Sequence, residues 1–190
     1  MDALAAGATA RGAGALRSGL DRLNALTPDA AAAQLAACCA SRRWIGAVAR
    51  SRPFGAADEL YAAAAEQLAA LDWPDVREAL AAHPRIGERA GGPGREASWS
   101  RAEQSATRNA DESTAAELAA ANAAYEAKFG YVFLIRASGR SAAQLLAAAL
   151  DRLDHDELTE QAVVRDELSQ IVRLRLDKLL TGLAEGTGPS

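Results

Sequence analysis

DELSQIVRLRLDKLL, residues 166–180, is the stretch of sequence that decides the fold. Its apolar residues recur at intervals of three and four, which puts them on one face of an α-helix. The stretch is the main part of a predicted helix over about residues 157–183. The apolar side chains of this helix are Leu168, Ile171, Val172, Leu176, Leu179 and Leu180.

Most of the remaining chain also has the pattern of helices. Leucines recur at helical spacing between residues 16 and 26, and Thr27-Pro28-Asp29 offers an N-cap, a proline and an early acid for a helix over about 28–40. The apolar run 131–135 fits either a strand or the start of a buried helix, because periodicity does not separate the two. Further helices are predicted from Ser41 and over about 57–71, 73–82, 100–109, 113–129 and 141–153.

The composition favours helices over sheets. Aromatic residues make up only 5% of the chain and alanine is abundant, whereas sheets favour β-branched and aromatic residues. A chain of 190 residues, 49% of them hydrophobic, suits one domain with a buried core. We therefore predict an all-α, single-domain multi-helix bundle over residues 15–183. A disordered leader is expected at residues 1–14, and a disordered tail at 184–190.

Charge and cysteine content restrict the classes of partner and site. The formal net charge of -4 gives no electrostatic reason to bind nucleic acid or an anionic membrane. No apolar run is long enough for a membrane span, and the first residues lack the pattern of a secretory signal. Cys38 and Cys39 are adjacent and show no metal-ligand spacing, so we expect reduced thiols and no metal site. These features predict a cytoplasmic protein.

One irregular segment carries the first candidate for catalysis. His83 precedes Pro84, which disfavours helical backbone at His83 and predicts that a helix ends near Ala82. Residues 83–99 are rich in glycine, and loops of this length within a compact domain are usually functional or disordered. His83 would stand at the C-terminal end of a helix dipole, which favours the protonated imidazole. It is therefore a candidate acid/base residue.

The predicted loop ends at Ser100-Arg101-Ala102-Glu103-Gln104. The pattern S-x-x-E is typical of a capping box, in which Ser100 and Glu103 satisfy the first N–H groups of a helix. Such a helix start also presents free N–H groups to an anion, so it is compatible with a substrate carboxylate or oxyanion. Gln104 has no capping role and could donate to a carbonyl or a urea group. Glu103 and His83 form a candidate acid/base pair across the loop.

Two arginines are further candidates. Arg136 follows the apolar run, and Arg175 lies within the last amphipathic helix. Each could extend to solvent, pair with a carboxylate in the core or bind a ligand anion. Taken alone, neither decides between these alternatives.

Taken together in order, these motifs resemble the 2-oxo-4-hydroxy-4-carboxy-5-ureidoimidazoline (OHCU) decarboxylase family. The resemblance covers about residues 20–180 and includes the stretches 38–44 and 51–54, which look like bacterial members. It departs from many members after His83-Pro84, where Asp-Leu-Ala is common and this chain has Arg85-Ile86-Gly87-Glu88. The matching motifs are His83-Pro84, Ser100-x-x-Glu103-Gln104, Asn122-x-x-Tyr125-x-x-Lys128-Phe129-Gly130-x-x-Phe133 and Leu174-Arg175-Leu176.

The resemblance implies an all-α, cofactor-free enzyme, generally a homodimer, for the third step of urate degradation, which yields (S)-allantoin and CO₂. It implies His83 as the proton donor, and we hypothesise that Glu103 orients it. No signature of a pyridoxal or thiamine cofactor is visible in the sequence. The implied substrate-binding residues are Pro84, Ser100, Arg101, Ala102, Glu103, Gln104, Phe133, Leu134, Ile135, Arg136, Ala137 and Arg175.

Two alternatives from other classes stay open at this point. A related helical hydrolase or decarboxylase could act on another ureido acid and keep the same pocket. A non-catalytic helical adaptor would use the loop and the Ser100–Gln104 segment for packing and partner binding. The adaptor predicts no loss of activity on replacing His83, and the hydrolase predicts release of ammonia or an open-chain acid instead of CO₂.

Overall fold

A computed structural model describes residues 2–88, 95–103 and 111–186. Within these ranges the chain is all-α, as predicted, with no strand. The helices are α1 (Asp2–Ala25), α2 (Pro28–Ala36), α3 (Arg42–Arg50), α4 (Ala57–Ala69), α5 (Trp73–Ala81), α6 (Arg95–Glu103), α7 (Glu112–Phe129), α8 (Ala142–Arg152) and α9 (Glu157–Ala184). No helix in these ranges is both long and apolar enough to cross a membrane.

The chain divides into two compact units. Unit 1 consists of residues 1–71 and 172–190, and unit 2 consists of residues 72–171. Helix α9 therefore contributes its first part to unit 2 and its last part to unit 1. The structure begins α1 at Asp2, where the sequence predicts a disordered leader over 1–14. The predicted division into leader, domain and tail stays a prediction.

In unit 1, local capping sets the helix starts. The Thr27 hydroxyl accepts from the Ala30 N–H at 3.3 Å, and Ser41 accepts from the Trp44 N–H at 3.4 Å. Helix α2 ends at Ala36, earlier than the predicted residue 40. There the N–H groups of Cys38 and Cys39 both donate to the Leu35 carbonyl, which closes the helix before Ser41 begins the next one. Both cysteines are buried thiols that form no disulfide.

In unit 2, α7 packs against α8 and ends at a glycine. Gly130 has φ of 76° and its N–H donates to the Glu126 carbonyl, so it is a left-handed cap. The run 131–135 that follows is neither strand nor helix. It is a buried irregular segment whose Tyr131 and Phe133 rings pack edge-on against Tyr125.

Helix α6 corrects the sequence reading of the loop. It begins at Arg95, so Ser100 lies inside the helix rather than at its N-cap, and the predicted capping box is wrong. Residues 95–97 are Arg, Glu and Ala, which are good helix formers and allow an earlier start than the S-x-x-E pattern suggested. The proposed anion site at a helix N-terminus beside Ser100 is excluded for the same reason. Residues 104–109, the last part of the helix predicted over about 100–109, lie outside the described residues.

Candidate functional site

The position of His83 follows from the end of α5. Asp72 caps the start of this helix by accepting from the Asp75 N–H at 3.0 Å, and Pro74 occupies its first turn. Past Ala81 the chain leaves the helix, and the His83 N–H still donates to the Leu80 carbonyl at 2.9 Å. His83 therefore stands directly after the C-terminal end of α5, as the sequence predicts.

The imidazole of His83 is held in one tautomer. Its Nδ1 lies 3.0 Å from the Ala79 carbonyl oxygen, and the side chain is only 8% exposed. Because a carbonyl oxygen can only accept, Nδ1 carries the proton of this hydrogen bond. Nε2 is then the ring nitrogen that changes protonation in acid/base chemistry.

The turn after His83 is anchored to α7. Arg85 binds both carboxylate oxygens of Glu126, at 2.5 and 2.8 Å, and the Asn122 amide donates to the Ile86 carbonyl at 2.8 Å. Hydrogen bonding to Arg85 lowers the pKa of Glu126. Gly87 has φ of 88°, a left-handed conformation that glycine adopts without strain. Arg85 and Ile86 are among the residues that depart from the common family pattern. Their contacts with α7 thus attach this turn to the rest of unit 2.

A cavity of about 410 Å³ lies beside this turn. Residues 85–88 line one side of it, and the α7 residues Leu118, Asn122 and Glu126 are on the other. None of the residues predicted to bind substrate lines this cavity in the described part of the chain.

Helix α6 carries the described part of the second motif. Ser100 is buried, with 3% of its surface exposed, and Ala102 is exposed on another side of the helix. Glu103 is half-buried at the last described position of α6. The Arg101 side chain and all of Gln104 lie outside the described residues. The pairing of Glu103 with His83 stays a prediction.

The segment 133–137 combines buried side chains with polar backbone contacts. Phe133, Leu134, Ile135 and Ala137 are buried, whereas Arg136 is exposed. The Arg136 N–H donates to the Glu167 carboxylate at 2.7 Å, and the Leu134 carbonyl accepts from Arg152 at 2.8 Å. Residues of α8 and α9 therefore hold this segment through its backbone.

A buried charge cluster lies behind the segment. Glu160 has 0% of its surface exposed and accepts from the Tyr125 hydroxyl, from the Arg152 Nε at 2.9 Å and from a second Arg152 nitrogen. Burial, followed by the hydrogen bond to Glu160, raises the pKa of Tyr125. The His155 Nδ1 lies 2.8 Å from the other Glu160 oxygen.

Sequence reasoning missed Glu160 and Glu167. Both are on the buried face of α9, at the same spacing that places Val164 and Leu168 in the core. Charged residues are almost never fully buried without a partner. A carboxylate recurring at apolar positions of an amphipathic helix was the signal that could have revealed them.

Arg175 is placed in a different unit from the other candidates. It is buried, with 1% of its surface exposed, in the part of α9 that belongs to unit 1. His83, Pro84, the described part of 100–104 and the segment 133–137 all belong to unit 2. Unit 2 therefore holds the candidate acid/base residue together with most of the candidate binding residues.

Metal binding would need several histidine, cysteine or acidic ligands close together. The two histidines bond to Ala79 and Glu160, and both cysteines lie in unit 1. Across the ranges that the structure describes, no group of three or more such residues could hold a metal ion.

Comparison with known proteins identifies the family to which this chain is similar. The sequence model of the OHCU decarboxylase family matches residues 24–177. An OHCU decarboxylase from Haloferax volcanii is 32% identical over 135 residues, covering 70% of this chain and 79% of that protein. The uric acid degradation bifunctional protein TTL of Arabidopsis thaliana is 31% identical over 152 residues. That match covers 78% of this chain, which spans only 47% of the bifunctional protein.

The fold has solved relatives as well. A crystal structure of OHCU decarboxylase in the presence of (S)-allantoin superposes with a TM-score of 0.68 at 30% sequence identity. The match covers 77% of this chain and 96% of the other.

Proposed function

The chain belongs to the OHCU decarboxylase family, and we propose that it converts OHCU to (S)-allantoin and CO₂. This reaction is a carboxy-lyase step of urate degradation. The relatives support it through their names, which include OHCU decarboxylase and a uric acid degradation protein. The observation in this chain that carries the proposal is the buried His83, whose tautomer is set by Ala79.

The chemistry of OHCU suits the residues of this chain. Its carboxylate is on a ring carbon that also carries a hydroxyl and adjoins an imine-like carbon. When the bond to CO₂ breaks, the electron pair moves onto the imine nitrogen, which takes up a proton from water. The hydroxyl loses its proton and becomes a carbonyl, and a proton is added at the carbon bearing the ureido group. The ring itself accepts the electrons, so the proposal requires no cofactor to do so.

The proposed catalytic residue is His83. With Nδ1–H bonded to Ala79, Nε2 can take the hydroxyl proton and supply the proton to one face of the ring. Addition to one face would produce a single enantiomer. We assign Glu103 to orienting His83 and raising its basicity, a role that the family motif supports.

Substrate binding in this proposal uses the residues implied by the family motifs. Gln104 and backbone donors would hold the ureido and ring carbonyl groups, and Arg136 and Arg175 would face the anionic parts of the substrate. The remaining contacts would come from Pro84, Ser100, Arg101, Ala102, Phe133, Leu134, Ile135 and Ala137.

The proposal includes a homodimer in the cytoplasm. The dimer is supported by the resemblance to a generally dimeric family, and the reducing compartment by the absence of a disulfide at the buried Cys38 and Cys39. Sedimentation equilibrium should give twice the chain mass of 19.8 kDa. A single species of one chain mass at micromolar concentration would contradict the dimer.

The experiment that tests the activity generates OHCU in situ from urate with urate oxidase and hydroxyisourate hydrolase. Circular dichroism then follows the handedness of the product with and without this protein. We expect rapid formation of a persistent (S)-allantoin signal. The variant His83→Asn should lower the rate about 10²–10⁴-fold, the usual contribution of one acid/base group.

Glu157→Ala is the control, because Glu157 is exposed and is not among the proposed substrate contacts. It should retain most of the activity once its folded fraction is measured. Substantial turnover by folded His83→Asn would remove His83 from the mechanism. A decay identical to the protein-free reaction, from folded protein, would instead favour a relative acting on another ureido acid or an adaptor.

A further inference from the structure

We propose that Glu167, together with the Arg152–Glu160 ion pair, positions the segment 133–137 so that Arg136 is presented to the substrate. The inference rests on the proposed function and adds to it a set of positioning residues that touch no reacting atom. It is carried by two backbone hydrogen bonds to the same segment, one at Leu134 and one at Arg136.

The segment needs such anchors because it has no regular structure. Residues 132–137 belong to neither helix nor strand, although most of their side chains are buried. A helix satisfies its own N–H and C=O groups, but an irregular buried segment must find partners elsewhere. Without them the backbone would have several conformations of similar energy, and the Arg136 side chain would start from several positions.

Glu167 supplies the first anchor. One of its oxygens accepts from the Arg136 N–H at 2.7 Å, and the other is 3.4 Å from the Arg140 guanidinium. A hydrogen bond from an amide to a carboxylate is stronger than one between neutral groups. Glu167 thus ties the segment to α9 on one side and to Arg140, three residues after the segment, on the other.

The Arg152–Glu160 pair supplies the second anchor. Arg152 donates through Nη1 to the Leu134 carbonyl at 2.8 Å, while its other nitrogens bind Glu160. Tyr125 also donates to Glu160, so the arginine is held in a fully bonded, buried cluster. An arginine fixed in this way is a rigid support for the carbonyl that it binds.

Both carboxylates belong to one helix, seven positions apart, and therefore lie on the same face two turns from each other. Glu160, through Arg152, holds the Leu134 carbonyl, and Glu167 holds the Arg136 N–H two residues further along the segment. Among residues 133–137, Arg136 alone has an exposed side chain. Fixing its backbone N–H therefore sets the point from which its guanidinium reaches the substrate, which predicts an effect on substrate affinity before any effect on proton transfer.

Three variants separate positioning from a merely structural or electrostatic role. Glu167→Gln keeps an oxygen that reaches the Arg136 N–H but loses the charge. Glu167→Asp keeps the charge but withdraws the oxygen by one methylene, and Glu167→Ala removes both. Displacements of about 1 Å in a positioning element can reduce activity by about 10²-fold. We expect KM to rise about 10-fold or more in the Asp and Ala variants with a smaller change in kcat, and to stay near the wild-type value in the Gln variant.

Steady-state kinetics in the coupled circular dichroism assay provide KM and kcat, and thermal melts establish that each variant is folded. The exposed residue Glu157 is on the same helix, and Glu157→Ala is the matched control with unchanged KM. If Glu167→Ala does not fold, the comparison of the Asp and Gln variants still decides between a positioning role and a charge effect. Near-normal KM in Glu167→Asp with an impaired Glu167→Gln would overturn the proposal in favour of a charge effect.

Unchanged KM in all three folded variants would also overturn it. The wild-type protein in the same assay separates this inference from the proposed function. Active wild type with unaffected Glu167 variants removes only the positioning role. Inactive, folded wild type overturns the proposed function, and the positioning role for that reaction with it.

Discussion

Arg85 and Glu126 join the turn after His83 to α7 through a bidentate ion pair. Hydrogen bonding to Arg85 is the main reason that the pKa of Glu126 lies below its ordinary value of 4.5. A carboxylate with a lowered pKa in the folded state stabilises that state when it is ionised. The pair is partly exposed, so its contribution should be modest and sensitive to salt.

This pair predicts a specific pH dependence for Glu126→Gln. The loss in free energy of unfolding relative to wild type should be complete above pH 4.5, the ordinary glutamate value. It should shrink as the pH falls from there through the lowered pKa, because the wild-type carboxylate is then protonated in both states. Urea denaturation at a series of pH values provides the measurement.

Glu117→Gln is the control, since Glu117 is exposed on the same helix, where it accepts a hydrogen bond from the Ser113 hydroxyl. It should show a smaller loss at neutral pH. A loss for Glu126→Gln that stays constant down to pH 3 would contradict the role of the ion pair.

At the scale of single residues, the sequence predicted the position of His83 at the end of a helix. It did not reveal that Glu160 and Glu167 are buried carboxylates. His83 is recognisable from its neighbours, because Pro84 ends the helix and places the imidazole next to the Ala79 carbonyl. Glu167 is recognisable only from its bond to Arg136, which is 31 positions away. A contact between positions so far apart is not contained in any local pattern of the sequence.

At the scale of elements, α1 and α9 approach closely at Gly19. A β-carbon at Gly19 would lie 2.8 Å from the Leu180 Cα and closer still to its carbonyl oxygen. Contacts this short with backbone force a shift of one helix, because no flexible side chain can move away. Glycine is required here by packing and not by its φ angle.

Gly19→Ala should therefore lower the free energy of unfolding by about 1–3 kcal/mol, the usual range for overpacking. Alanine is the better helix former by about 1 kcal/mol, which offsets part of the strain. Gly14→Ala on the same helix is the matched control, as nothing lies within 4 Å of a β-carbon there. It should be neutral or slightly stabilising in chemical denaturation. Equal effects of the two variants would contradict the close approach.

Helix starts show where local reasoning succeeds and where it fails. Thr27 and Ser41 were predicted as helix starts, and each accepts the backbone N–H expected of a cap. Ser100 has the same sequence signature but lies within α6. A cap depends on where the backbone leaves the helical conformation, and the residues before Ser100 allow the helix to begin earlier.

At the scale of the whole molecule, charge limits the partners. The net charge is -4 and the calculated isoelectric point is about 5.3. We predict no retention on heparin and no binding to anionic vesicles at pH 7 and low salt, because both surfaces repel a net negative chain. Flow-through chromatography and vesicle sedimentation test this. Salt-sensitive retention would contradict it and would indicate a basic patch that the net charge conceals.

The sequence by itself determined the all-α class, most helix positions, the family and the position of His83 at the end of α5. These follow from periodicity, capping residues and the order of motifs, all of which are local or linear properties of the chain. Only the tertiary structure decided that residues 72–171 form a compact unit, that α6 begins at Arg95, and that Glu160 and Glu167 support the segment 133–137. A buried carboxylate is stable only with partners, and folding brings those partners from distant positions.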